Sequence, residues 1–210
     1  RPTKEELDVQ EQDLKDWNNT YDGRVKVWFG LRTLFNDSDE LVLGTKELAD
    51  KYNVGIHMHV AEAKAEVEYV KETKGVPTVM HLRNLGVLDK NLLAVHTVWL
   101  TDEEIDMFKE YDVKVSHNPA SAMRVLGFAK VPKMLKKGIC VSIGTDGASA
   151  NNRMTMIDEM YVTSLIHKGW RLDPTVVKAE EIITMATTNG ARALLWEDEI
   201  GALKPGMKAD

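Results

Sequence analysis

Gly55-Ile56-His57-Met58-His59-Val60-Ala61-Glu62 alternates apolar and polar side chains and closes on a histidine and a carboxylate. Residues two apart on a strand share a face, so Ile56, Met58 and Val60 read as one side and His57 and His59 as the other. Further apolar runs span Val25 to Gly30, Leu92 to Thr97, Val113 to Asn118 and Ile139 to Gly147, each followed by a helical pattern. Thr101-Asp102-Glu103-Glu104 is a capping box ahead of Ile105, Phe108 and Tyr111. Asp37 with Glu40 is expected to open a helix carrying Leu41, Leu48 and Tyr52. Pro77 suits a first helical turn, and Gly86 and Gly138 suit C-terminal caps. Strand and helix in strict alternation imply a parallel sheet. No repeat or Pro/Ser-rich linker interrupts it, so residues 1–210 read as one domain. A polar helix and loop over the first ~24 residues lead into that domain.

Two parallel architectures use this pattern. A (β/α)₈ TIM-type barrel spends about 31 residues per unit, so Val25 to Leu195 covers about five units and leaves about three unaccounted for. A five-stranded doubly wound sheet needs no further strands, but usually carries its ligand on a glycine-rich first turn. Neither G-x-G-x-x-G nor G-x-x-x-x-G-K-[ST] occurs here, which favours the barrel.

Composition narrows the function. The chain has 210 residues, 43% of them hydrophobic, and a formal charge of -6 without a basic stripe, which argues against nucleic acid and anionic membrane as partners. A small, neutral molecule fits better. No apolar stretch approaches the ~20 residues of a membrane span, and Arg1-Pro2 has no apolar signal core behind it. Cys140 is the single cysteine. It excludes an internal disulfide, suits a reducing cytoplasm, and lies in an apolar run where packing explains it.

Cys140, Ser142, Gly144 and Asp146 share one strand face, as small residues of a barrel interior leading up to a mouth would. His96 stands two residues above Ala94, and His117 above Val115. Four of the five strands are therefore expected to deliver His59, His96, His117 or Asp146 to one inner face. Those strand ends are where catalytic groups of parallel α/β folds stand. Any one of these histidines alone would more commonly be structural. Together with an Asp that costs several kcal/mol to bury unpaired, they point to a metal site. His57 reads as a second-layer residue, and His81 and His167, in helical patterns, as surface or packing histidines.

His59-Val60-Ala61-Glu62, His96-Thr97-Val98-Trp99-Leu100, Ser116-His117-Asn118-Pro119-Ala120-Ser121 and Gly144-Thr145-Asp146-Gly147-Ala148-Ser149-Ala150-Asn151-Asn152 together resemble the amidohydrolase superfamily. The branch they resemble is that of aminohydrolases and chlorohydrolases, such as methylthioadenosine/S-adenosylhomocysteine deaminases and triazine hydrolases. Ala186-Thr187-Thr188-Asn189-Gly190-Ala191-Arg192 and Gly201 to Asp210 look like the family's last barrel helix and the turn into its small β domain. The resemblance implies one divalent ion, Zn²⁺ or else Fe²⁺. His59 and Asp146 would be metal ligands, and Asp146 would also take a proton from the activated water. Glu62 would be the proton shuttle to the ring nitrogen and the leaving amine. His96 would stabilise the attacking oxygen, and Arg32 and His117 would contact substrate.

Departures from the family pattern matter too. The His-x-His strand that opens a family barrel does not precede Val25, so the chain is expected to hold roughly strands four to eight of a longer protein. Arg32 stands where relatives place a substrate-contacting histidine, and its planar fork of donors suits a ring carbonyl, carboxylate or phosphate. Ser149-Ala150-Asn151-Asn152 replaces a common Ala-Ser-Asn-Asn, and Ala122-Met123-Arg124 an Asn-Met/Leu-Lys. The expected activity is hydrolytic removal of an exocyclic amino group from a purine, nucleoside or triazine-type ring. Hydrolytic dechlorination or N-dealkylation of a triazine, and a metal-free structural or binding role, are the alternatives. Homo-oligomerisation is expected by family analogy.

Overall fold

The computed structural model describes residues 2–208, so Arg1 and the final Ala209-Asp210 of the terminal motif lie outside the described residues. Strands β1 (Phe29–Leu31), β2 (Ile56–Val60), β3 (Leu92–His96), β4 (Lys114–His117) and β5 (Val141–Ile143) form one sheet in the order β1-β2-β3-β4-β5. Every neighbouring pair is parallel. Each return to the start of the next strand therefore needs a helical crossover, and the helical patterns of the sequence supply them. Among the described residues, no helix is long and apolar enough to cross a membrane.

Ile56, Met58 and Val60 are buried in the main core with Leu92, Ala94, Val115, Val141 and Ile143. Phe108 and Ile105, from the helix Asp102–Glu110, pack in the same layer. Each such side chain contributes about 1.5–3 kcal/mol on burial, which fixes this face of the sheet toward the helices. The opposite face carries His57 and His59, and lower down a small cluster of Leu93, Cys140 and Ala193 under Trp28. The alternation read in β2 and β5 therefore holds.

Helix ends follow the predicted chemistry with two exceptions. Thr101 accepts the Glu104 backbone N–H at 3.2 Å, and Glu104 returns a bond to the Thr101 N–H at 2.8 Å, completing the capping box. Gly86 (φ +74) and Gly138 (φ +71) take the left-handed conformation that a helix exit requires. Pro77 is the N-cap of the helix Thr78–Asn84 rather than its first helical residue. The helix Asp39–Tyr52, however, is capped by Ser38, whose Oγ accepts the Leu41 N–H at 3.2 Å. The carboxylate of Asp37 accepts the Arg32 N–H at 2.6 Å instead and closes the loop after β1.

Candidate metal and proton-transfer site

The residues that converge do so where the backbone leaves regular strand geometry. β2 places the His59 ring on the open face, and its Nδ1 lies 3.0 Å from the Arg32 carbonyl oxygen. A carbonyl only accepts, so Nδ1 carries the proton and Nε2 is left as a lone-pair donor, the arrangement a metal ligand needs. Ala61 then turns left-handed at φ +50. Its N–H and that of Glu62 are held by the carboxylate of Glu66, at 3.3 and 2.8 Å. The turn sends the Glu62 side chain back over the strand ends, where Oε2 is 3.2 Å from Arg32 Nη1 and 3.8 Å from His96 Nε2.

His96 arrives by a different route from the one predicted. In the register Val60 pairs with His96 and Met58 with Ala94, so alternation alone aims His96 into the helix-facing core. Positive φ at His96 (+66) and Thr97 (+52) reverses the chain at that point. The ring ends 5.2 Å from that of His59, with Nε2 3.8 Å from Asp146 Oδ2. Asp146 is itself left-handed at φ +60. Its Oδ2 accepts the Ser121 hydroxyl at 2.5 Å and its Oδ1 the Gly147 N–H at 2.7 Å.

His59, Glu62 and His96 thus present ligand atoms that all lie within 4.8 Å of one another, with Asp146 alongside. This set of nitrogen and oxygen donors fits a divalent cation such as Zn²⁺. Burial pushes the His59 and His96 imidazoles down, in His96 against the pull of Glu62 and Asp146, so both stand neutral at pH 7. Burial pushes the Asp146 carboxyl up, but the bonds from Ser121 and Gly147 outweigh it and hold the group below the usual carboxylate range. The site therefore offers neutral imidazole nitrogens and an ionised carboxylate at neutral pH.

Other predicted residues fall elsewhere. His117 does not reach the open face: it pairs with Ile143 in the register, is 2% exposed, and faces the helix layer, where His167 meets it. It does share a side with Val115 as the alternation predicts, but Val115 and Ala94 line the helix side. Arg32 is half-exposed and ion-pairs with Glu62. His57 stays on the open face beside His59, at a ring separation of 5.6 Å. His81 is packed and bonded to Asp39 at 2.9 Å, and His167 is fully buried.

Four supporting residues take partners that the sequence patterns do not assign. Glu66 holds the Ala61–Glu62 turn and Ser121 holds Asp146. Buried Glu159 accepts the Ala120 N–H at 3.2 Å and the Asn151 side-chain amide at 2.7 Å, while Asn151 also donates to the Thr145 carbonyl at 2.6 Å. Ser121 and Asn151 lie in family-like motifs, but neither motif by itself assigns them these partners. Glu66 carries a faint signal, a Glu three residues past the Ala63 N-cap of its helix.

Comparison with known proteins gives the family of the chain. The 5-methylthioadenosine/S-adenosylhomocysteine deaminase of Caldanaerobacter subterraneus subsp. tengcongensis is 42% identical over 210 residues, covering 96% of this chain and 48% of the relative. The 5'-deoxyadenosine deaminase of Methanothermobacter thermautotrophicus is 42% identical over 206 residues, 98% of this chain and 48% of the relative. The chain spans about half the length of these curated relatives. Among solved structures, an adenosine deaminase from Xanthomonas campestris with bound zinc superposes with a TM-score of 0.91 at 29% identity, over 96% of this chain and 46% of that one. Five parallel strands in sequence order, each followed by helix, are thus part of a (β/α)₈ TIM-type barrel. The Amidohydrolase family model matches residues 1–210, and the chain belongs to the amidohydrolase family.

Proposed function

We propose that residues 1–210 are the strand-four-to-eight portion of one barrel domain in a metal-dependent deaminase, which releases the exocyclic amino group of an adenosine-type ring as ammonia. The observation that carries this reading is the convergence of His59, Glu62 and His96 within 4.8 Å, beside Asp146, at the C-terminal ends of parallel strands. The names of the relatives, deaminases of adenosine-type compounds, support the substrate class.

His59 Nε2 and Asp146 would hold the metal ion, Zn²⁺ as in the Xanthomonas relative, with further ligands from outside this chain. Such an ion supplies an activated water at neutral pH, by lowering the pKa of water toward ~7. Asp146, ionised at pH 7, takes the proton of the attacking water. Glu62 shuttles one water proton to the ring nitrogen beside the attacked carbon, and the other, held by Asp146, passes with the help of Glu62 to the amine as it departs as ammonia. Nε2–H of His96 donates to the oxygen on which charge develops, a bond at full strength only in the transition state. Arg32 releases part of its pairing with Glu62 to a polar group of the substrate. The buried Cys140 thiol, pushed up to about 11 by burial, is inert and suits a reducing cytoplasm.

The test uses the full-length protein: metal content, and ammonia released from 5'-deoxyadenosine and methylthioadenosine. Near-stoichiometric zinc with deamination is expected, and Glu62→Gln should abolish release while keeping the metal. Metal-free protein that releases no ammonia would sink the proposal.

A further inference from the structure

The helix Met156–Arg171 turns one side to the sheet and an apolar stripe to the outside. Glu159, Thr163 and His167 are buried on the inner side. Each lies two positions, about 200° of helical rotation, from Ile157, Tyr161 and Leu165 in turn, so those three point away from the sheet. They are 74%, 65% and 52% exposed, and Met154 (57%) and Leu172 (92%) continue the stripe at its two ends. The exposed residues of this helix are Ile157, Tyr161, Leu165, Gly169 and Trp170, none of them charged. A helix whose outer face meets only water carries charged and polar residues there. At roughly 150–250 Å² per fully exposed large side chain, the apolar residues from Met154 to Leu172 present roughly 700 Å². That exceeds the ~300–600 Å² of the largest apolar patch on an ordinary monomer and falls within the ~600–1,000 Å² per partner of a stable interface.

Two residues of the stripe are poor choices for the helix alone. Gly169 lies in the last turn, where alanine would hold the helix better, and a Cβ there would meet nothing within 4 Å, so no contact within the chain calls for glycine. Leu172 is the C-cap in left-handed conformation at φ +52, a place that favours glycine or asparagine, and its side chain gains no burial in return. A bare backbone at one point and a projecting leucine at the next suit a surface that another surface covers.

The stripe matches itself when reversed. About a centre at Thr163, an antiparallel copy brings Tyr161 over the partner's Leu165, Ile157 over the partner's Gly169 and Met154 over the partner's Leu172. Each contact then occurs twice, as a two-fold axis demands. Ile157 fills the open space above the glycine, and the two helix dipoles oppose each other. A parallel copy would stack Ile157 on its own equivalent, leave glycine facing glycine and align the dipoles. The strands that complete the barrel add at the β1 and β5 edges, and their helices join the outer layer side by side, as the helices Pro119–Val125 and Ala179–Ala186 do next to this one. The outward face stays open.

We infer that this stripe seats a second copy of the same chain, packed antiparallel across a two-fold axis at Thr163. The pairing is independent of the deaminase reading.

The test is the mass of the full-length protein in solution, by light scattering on a sizing column across a dilution series. Wild type is expected as a dimer or an even multiple of it. A monomer overturns the inference, because the protein's own remaining length then covers the stripe. Leu165→Glu, at an outward position, should halve the mass with the far-ultraviolet circular dichroism unchanged. Gly169→Phe, whose ring meets only open space within one copy, should raise the dissociation constant roughly tenfold by overpacking the contact. Where Leu165→Glu fails to fold, Gly169→Phe decides. Wild-type mass in folded Leu165→Glu, or an unchanged dissociation constant in Gly169→Phe, overturns the inference. Orientation is read from nitroxide labels on Arg153→Cys, at the rim of the stripe: about 30 Å between labels is expected for antiparallel copies, and about 10–15 Å, the parallel result, overturns that pairing.

Discussion

Replacing Glu66 by glutamine isolates the energetics of the turn that aims Glu62. Glu66 is 3% exposed, yet its carboxylate accepts the backbone N–H groups of Glu62 at 2.8 Å and Ala61 at 3.3 Å. Burial pushes its carboxyl up from 4.5 to about 7 against those two bonds, and the neighbouring Glu62 charge adds to the rise. Between those values the native protein holds a proton that the unfolded chain has released. The stability this contributes is fully present below about pH 4.5 and is lost as pH rises through about 7. At about 1.4 kcal/mol per pH unit, the loss amounts to roughly 3 kcal/mol.

A glutamine side chain does not titrate, so the Glu66→Gln variant escapes that loss. It has a cost of its own, because two N–H donors now face one carbonyl oxygen and one amide NH₂, worth about 1–3 kcal/mol. Glu66→Gln should therefore be less stable than wild type near pH 5 and at least as stable near pH 8. The assay is urea unfolding of the full-length protein at several pH values across that window, with m-values checked for constancy. Two stability curves that run parallel from about pH 4.5 to 8 would refute the reasoning, because Glu66 would then have the same proton affinity folded and unfolded.

Further outcomes follow from other contacts. Thr101→Ala removes half of the capping box and should lower stability by about 1 kcal/mol in denaturant titration; no change would mean that Glu104 alone secures that helix end. Gly144→Ala would place a Cβ 2.7 Å from Asn118 Nδ2 and 3.0 Å from Ser116 Oγ, so a loss of about 1–3 kcal/mol is expected, read as a lower thermal midpoint. Ser121→Ala deletes a bond that holds the Asp146 carboxyl down, so the acidic limb of the rate–pH profile should move to higher pH; an unmoved limb means that Asp146 does not set it.

The layout of the sheet was legible because burial imposes period-two alternation wherever a strand has one apolar side. Ile56, Met58 and Val60 carry that signal, and the small residues Cys140 and Ser142 carry it in β5. Capping at Thr101 was legible because both partners lie within four residues. What failed depended on choices between near-equal local partners or on contacts across the sequence. Asp37 and Ser38 can each cap a helix, and only the Arg32 N–H, engaged by Asp37, decides between them. Ser121 and Glu159 act on groups 25 and 39 residues away, and no local pattern marks them.

Strand parity gives His96 and His117 the same, helix-facing side, and a backbone reversal at His96 separates them. Alternation is a property of extended backbone, and it ends at the first residue with φ of the opposite sign. Ala61, His96, Thr97 and Asp146 all have positive φ without being glycine, at a cost of roughly 1–2 kcal/mol each. That cost is tolerable because each turn is tied from outside itself: Glu66 onto the Ala61 and Glu62 N–H groups, the Ala61 carbonyl onto the Trp99 N–H at 3.0 Å, Ser121 onto Asp146 and Asn151 onto Thr145. His117 lacks such a reversal and keeps the direction its strand parity dictates, into the helix layer. Glycine at these turns would relieve the strain and surrender the aim, because a residue equally content on either side of φ zero no longer commits its neighbour's side chain to one direction.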